Sequence, residues 1–155
     1  MIELQILTDS LIKKKDILVQ IEDENRNQEK ALKEEPVSFD EFEAIVDKKA
    51  VMIDELNKID LGFESVYDRI KDNLIANRDQ FKAQIEGFKV LISDITELSV
   101  SIQAQEARNK SLVEKFFAKG REDIQTERIR AKSSYDFMNR MAGQNVAPRF
   151  MDTKK

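Results

Sequence analysis

An all-α fold, an elongated antiparallel bundle of three helices, is what this sequence predicts from three observations. Apolar side chains recur at alternating spacings of three and four residues over most of the chain, which keeps them on one face of a helix. Glycine and proline are scarce, 4 and 2 of 155 residues, so few positions interrupt a helix. Charged residues make up 36% and hydrophobic residues 41%, a balance that suits long amphipathic helices better than sheets or a disordered chain.

The first helix is expected over about 2–34. Its seam is Leu4, Leu7, Leu11, Leu18, Ile21 and Leu32, with Lys14, Asn25 and Gln28 at the remaining seam positions. Pro36 ends it, because proline cannot donate to the helical ladder and pushes the residue before it out of the helical region. Ser38 stands three residues before Glu41, the spacing of a capping box, so a second helix is expected from 38 to about 75. Its seam runs Phe42, Ile45, Lys49, Met52, Leu56, Ile59, Phe63, Val66, Ile70 and Leu74. Gly62 falls inside this run and is a candidate kink, with Asp60 as its local cap.

No glycine or proline announces the next turn, which is expected between Leu74 and Asp79 with Asn77 and Asp79 as turn formers. A third helix then covers 79–141. Its seam is Phe81, Ile85, Phe88, Ile92, Ile95, Ser99, Ile102, Glu106, Asn109, Val113 and Phe116, widened by Leu91, Leu98 and Leu112. From Lys119 to Ser134 only Ile124, Ile129 and Ala131 are apolar, so the third helix outlasts its own core stripe. It is expected to overhang the bundle, or to break near Gly120 and fold back as a fourth helix. Residues 1–141 thus form one helical domain, and 142–155, with Gly143 and Pro148, read as a mobile tail.

Composition excludes several function classes. The sequence holds no histidine and no cysteine, which removes imidazole bases, thiol nucleophiles and the usual zinc ligands. Carboxylates are plentiful, but bundle di-iron sites need Glu-x-x-His pairs, and Glu106 is the one carboxylate on a seam among apolar residues. No metal, cofactor or catalytic residue is therefore expected. The formal charge of −4 comes from interleaved acids and bases, so no nucleic-acid surface is expected. Lys13, Lys14 and Lys15 read as a solvated face. Nothing resembles a signal sequence or a membrane span, and a cytoplasmic location without membrane insertion is the expectation.

Asn25 and Gln28 interrupt the first seam, and Glu106 and Asn109 the third. Such residues set helix register in coiled coils at some cost in stability. The alternative is a polar waist that admits a partner, which requires these side chains to be exposed. Further on, Tyr135, Phe137, Met138 and Met141 place two aromatics and two adaptable thioethers beyond a stretch with little core. They either present themselves to a partner or fold back onto the bundle. On physical grounds Ile124, Ile129, Phe137, Met138 and Met141 are the candidate client-binding residues.

The capped second helix with Asp47-Lys48-Lys49 and Ile53-Asp54-Glu55-Leu56, the third helix with Glu106-Ala107-Arg108-Asn109-Lys110-Ser111-Leu112, and the late Tyr135 followed by Gly143 resemble the FlgN-type flagellar export chaperones, relatives in kind of the shorter FliT-like chaperones. The resemblance spans most of the chain. It implies a type III export chaperone that binds hook-associated (hook–filament junction) proteins by their terminal helical segments and delivers them to the export gate. By the same resemblance Asn109 takes the place of the family's recurring asparagine, and Tyr135 is the candidate export-gate contact. A monomer or weak dimer is expected. The alternative from another class is a coiled-coil scaffold or homodimeric tether, in which 119–141 pairs with its own copy.

Overall fold

The computed structural model describes residues 1–120 of the chain, and these form a bundle of three helices: α1 (Ile2–Lys33), α2 (Phe39–Ala76) and α3 (Lys82–Lys119). With 32, 38 and 38 residues, they are about 48, 57 and 57 Å long at the rise of an α-helix. Pairs at a near-constant sequence offset show that α1 and α3 run parallel: Lys15 meets Asp94, Glu22 meets Ser101 and Asn25 meets Gln105. α2 runs antiparallel to both, with Lys13 on Glu55, Lys48 near Glu24, and Phe39 on Phe116. The topology is up-down-up. α1 lies backbone-close to each of the other two helices, whereas the backbones of α2 and α3 stay farther apart.

The seams read from the sequence face inward. Leu4, Leu7, Leu11, Leu18 and Ile21 of α1, Leu56, Phe63, Ile70 and Leu74 of α2, and Phe88, Ile92, Ile95 and Ile102 of α3 are all buried in one apolar cluster. One seam position shifts by a residue. Tyr67 is buried, stacked on Phe63 at 6.1 Å, while neighbouring Val66 is only partly covered. Ser99 is buried without harm to the seam, because its hydroxyl donates to Ile95 O at 2.8 Å inside its own helix.

The connections differ from expectation in their details. Ser38 is the N-cap of α2, yet its side chain makes no cap hydrogen bond. Its backbone joins the two helices instead: Ser38 N–H donates to Ala31 O at 3.0 Å, at the end of α1, and Ser38 O accepts from Phe42 N–H at 3.1 Å, the first bond of the α2 ladder. Asp40 and Glu41 lie in the first turn of α2, where the helix dipole favours carboxylates. α2 passes unbroken through Gly62, and Asp60 caps nothing, since its carboxylate is held by Lys14. The second turn occupies 77–81. Asn77 closes α2 by donating its N–H and its side-chain Nδ2 to Asn73 O, each at 3.0 Å, and its own carbonyl accepts from Gln80 and Phe81. Its φ of −114° explains why no glycine is needed there. α3 accordingly begins at Lys82, three residues later than expected.

At the far end of α3, Gly120 N–H donates to Phe116 O at 3.0 Å with φ −96°, a conformation open to any residue. The expected continuation of α3 to 141, its overhang or fold-back as a fourth helix, and the tail 142–155 lie outside the described residues.

Candidate functional site

Two features of the bundle stand out from a plain apolar core: a buried polar layer across all three helices, and a cluster of phenylalanines at the end where α1 meets α2.

The layer begins with geometry set by the heptad spacing. Gln28 of α1, Lys49 of α2 and Glu106 of α3 each occupy a seam position, so each must point inward. Lys49 Nζ donates to Gln28 Oε1 at 2.8 Å and to Glu106 Oε1, with Lys49 0% and Glu106 1% exposed. Only a long stem carrying several donors can reach acceptors on both other helices from one seam position. Beside it, Asn25 Nδ2 donates to Gln105 Oε1 at 3.1 Å. The amides of α3 also reach the backbone of α1: Gln105 Nε2 donates to Glu22 O at 3.1 Å and Asn109 Nδ2 to Asn25 O at 3.0 Å. These carbonyls have a second lone pair free for such a bond after serving their own helix. Ser101 Oγ completes the α1–α3 clamp by donating to Glu22 Oε2 at 2.7 Å.

Burial pulls the Lys49 ammonium below the ordinary lysine range, and the Glu106 and Glu24 carboxylates oppose that pull. Three atoms of the layer, Asn25 Oδ1, Gln28 Nε2 and Glu106 Oε2, are buried without a hydrogen-bond partner. A buried ion pair of this kind adds little net stability over apolar residues, but leaving one member unpaired costs about 3–5 kcal/mol. Sliding α2 by one heptad would carry Lys49 to the level of Ile21 and Ser99, or of Glu35 and Val113, away from both Gln28 and Glu106. The layer therefore fixes register and helix orientation. These four interrupting residues are buried, which overturns the exposed polar waist.

A second buried lysine corrects the reading of the basic triplet. Lys14 is 1% exposed and its ammonium donates to Asp60 at 2.7 Å. Burial lowers its pKa from the ordinary value, and the Asp60 hydrogen bond and charge oppose this. Lys13 pairs with Glu55 of α2 at 3.0 Å and Lys15 with Asp94 of α3 at 2.9 Å, both on the surface. Instead of one solvated face, the triplet joins α1 to both other helices.

At the phenylalanine end, Phe42 is fully buried with Ala31, Leu32 and Val113. Phe39 stacks on Phe116 at 5.4 Å and meets Phe117 edge-on at 5.6 Å, and Phe116 and Phe117 are themselves edge-on at 4.9 Å. Phe39, Phe116 and Phe117 remain partly exposed. The sequence reading included Phe116 in its seam and missed Phe39 and Phe117; the signal was the pair Phe116-Phe117 where α3 runs out.

Asn109 is buried in the layer and turned toward α1. The client-binding candidates Ile124, Ile129, Phe137, Met138 and Met141, and Tyr135, lie outside the described residues. Among the described residues no cluster of three acidic side chains could hold a metal ion, and no helix is long and apolar enough to cross a membrane. The grooves beside α1 are open and edged with charge, such as Lys13, Asp54 and Lys58 on one side and Lys15, Asp94 and Glu97 on the other.

Fold and site together define a closed three-helix bundle held in register by a buried ionic layer. Comparison with protein-family models, with curated proteins and with solved structures found no match.

Proposed function

We propose that this chain is a non-catalytic, cytoplasmic binding protein, a flagellar type III export chaperone of the FlgN kind. It binds hook-associated proteins through their terminal amphipathic helices, keeps them unassembled and brings them to the export gate. The observation that supports this reading is how α3 ends. After the polar layer its seam turns apolar again at Val113, forms a partly exposed aromatic end of Phe116 and Phe117 with Phe39, and leads directly into the sequence carrying Ile124, Ile129, Phe137, Met138 and Met141. From 1 to 119 the helices bury their inward seams against one another, and the exposed apolar side chains there, such as Val51, Leu61, Val90 and Val100, lie on outward faces. The mechanism is helix augmentation, in which a client helix packs along the apolar side chains beyond Gly120. Tyr135 is the proposed contact with the gate.

The test is to mix the protein with a purified hook–filament junction protein and follow the mixture by size-exclusion chromatography and light scattering. A stable heterocomplex and suppressed self-assembly of the junction protein are expected. A concentration-independent homodimer that ignores the junction protein would replace this reading with the scaffold or tether.

A further inference from the structure

We propose that the Gln28–Lys49–Glu106 layer is a built-in breakpoint, and that the phenylalanine end of the bundle opens as a unit while the rest stays folded. This inference concerns the described bundle alone and stands whether or not the chaperone reading does.

Nineteen of the twenty buried apolar residues fall into two clusters on either side of the layer, and the twentieth, Ile45, belongs to neither. On one side lie fifteen, from Leu4 to Ile21 in α1, Leu56 to Leu74 in α2 and Phe88 to Ile102 in α3. On the other side lie four: Ala31, Leu32, Phe42 and Val113. What lies between them is mainly polar, namely the Lys49 bonds to Gln28 and Glu106 and the amide contacts of Asn25, Gln105 and Asn109, which join helix to helix within the layer.

Cooperativity spreads through packed apolar contacts, so a layer of hydrogen bonds between a large and a small cluster divides one folding unit into two. Water reaching the layer from the small end would also reward the opening. It hydrates the ammonium of Lys49 and the carboxylate of Glu106, both desolvated in the closed form, and it supplies partners for Asn25 Oδ1, Gln28 Nε2 and Glu106 Oε2. Opening separates the α1–α2 connection and the end of α3 and turns Leu32, Phe42 and Val113 outward. The opposite end has no such divide, since Leu4, Leu74 and Phe88 belong to the same cluster as the centre.

Native-state hydrogen exchange of the full chain tests this. Amides at 29–48 and 107–117 are expected to exchange together, as one step, with protection lower by at least roughly tenfold than in the large cluster. A smooth rise along each helix from its end, equal at the two ends of the bundle, is ordinary fraying and would overturn the proposal. A Gln28→Leu, Lys49→Met, Glu106→Leu variant joins the clusters and is expected to remove the step. A step undiminished in that variant would also overturn it; should the variant not fold, the wild-type profile decides alone.

Discussion

At the scale of single residues, the lysines carry most of what is unusual here. Lys49 and Glu106 are buried together, so removing one strands the other. Lys49→Met is expected to lower stability by about 3–5 kcal/mol, while Lys49→Met with Glu106→Leu recovers most of that loss. Denaturant titration of the two variants checks this, and equal losses in both would show that the pair does not act as a pair. Lys14 gives a pH signature. Its folded pKa lies below the unfolded 10.5, so the unfolded chain binds its proton more tightly. Stability is therefore reduced below the folded pKa and regained as pH climbs from there toward 10.5. Asp60 is the carboxylate that faces it. The stability of the wild type relative to Lys14→Met is expected to rise over that alkaline interval, read by urea unfolding at stepped pH. A falling difference would mean that pairing with Asp60 outweighs burial.

At the scale of elements, the three-and-four spacing had nearly everything needed. It marked the inward face of all three helices, including Lys14, Asn25, Gln28, Lys49, Glu106 and Asn109 at seam positions. It could not show which of those polar residues meet, because partner choice depends on the up-down-up arrangement. The Lys13-Lys14-Lys15 run was misread for the same reason: three adjacent residues point three ways on a helix, and here one of those ways is the core. Capping was misjudged at Ser38, whose side chain makes no cap bond and whose N–H donates back to Ala31 O at the end of α1. Gly62 also proved to be an ordinary helical residue. A Cβ there, or at Gly87, would meet nothing within 4 Å. Gly62→Ala and Gly87→Ala are each expected to raise stability by about 0.5–1 kcal/mol, since glycine loses more backbone freedom in a helix. Thermal melts suffice, and a loss in either would point to a close neighbour. Phe88→Ala in the large cluster is expected to cost about 3–5 kcal/mol. An unmoved melt would remove Phe88 from the core.

At the scale of the whole molecule, composition and spacing predicted an elongated helical bundle, and the helices of about 48 to 57 Å follow from their lengths. What the sequence left open is the sharing of roles between the two ends. α1 and α3 are parallel and clamped by side-chain amides on backbone carbonyls, while α2 returns between their ends and contributes the buried ammonium. The resulting scaffold buries its own seams as far as Val113 and leaves Phe116 and Phe117 partly exposed. The proposed client surface comes after it in the sequence, at Ile124, Ile129, Phe137, Met138 and Met141.

The most direct measurement is a calorimetric titration of a hook-associated protein's terminal helical segment into the full chain and into an Ile124→Ser, Ile129→Ser, Met138→Ser variant, with a thermal melt of each. Binding by the wild type, its loss in the variant, and an unchanged melt are the predicted results. Undiminished binding by the variant, or no binding by either protein, would contradict the proposal, and collapse of the variant's melt would show that these side chains belong to the core.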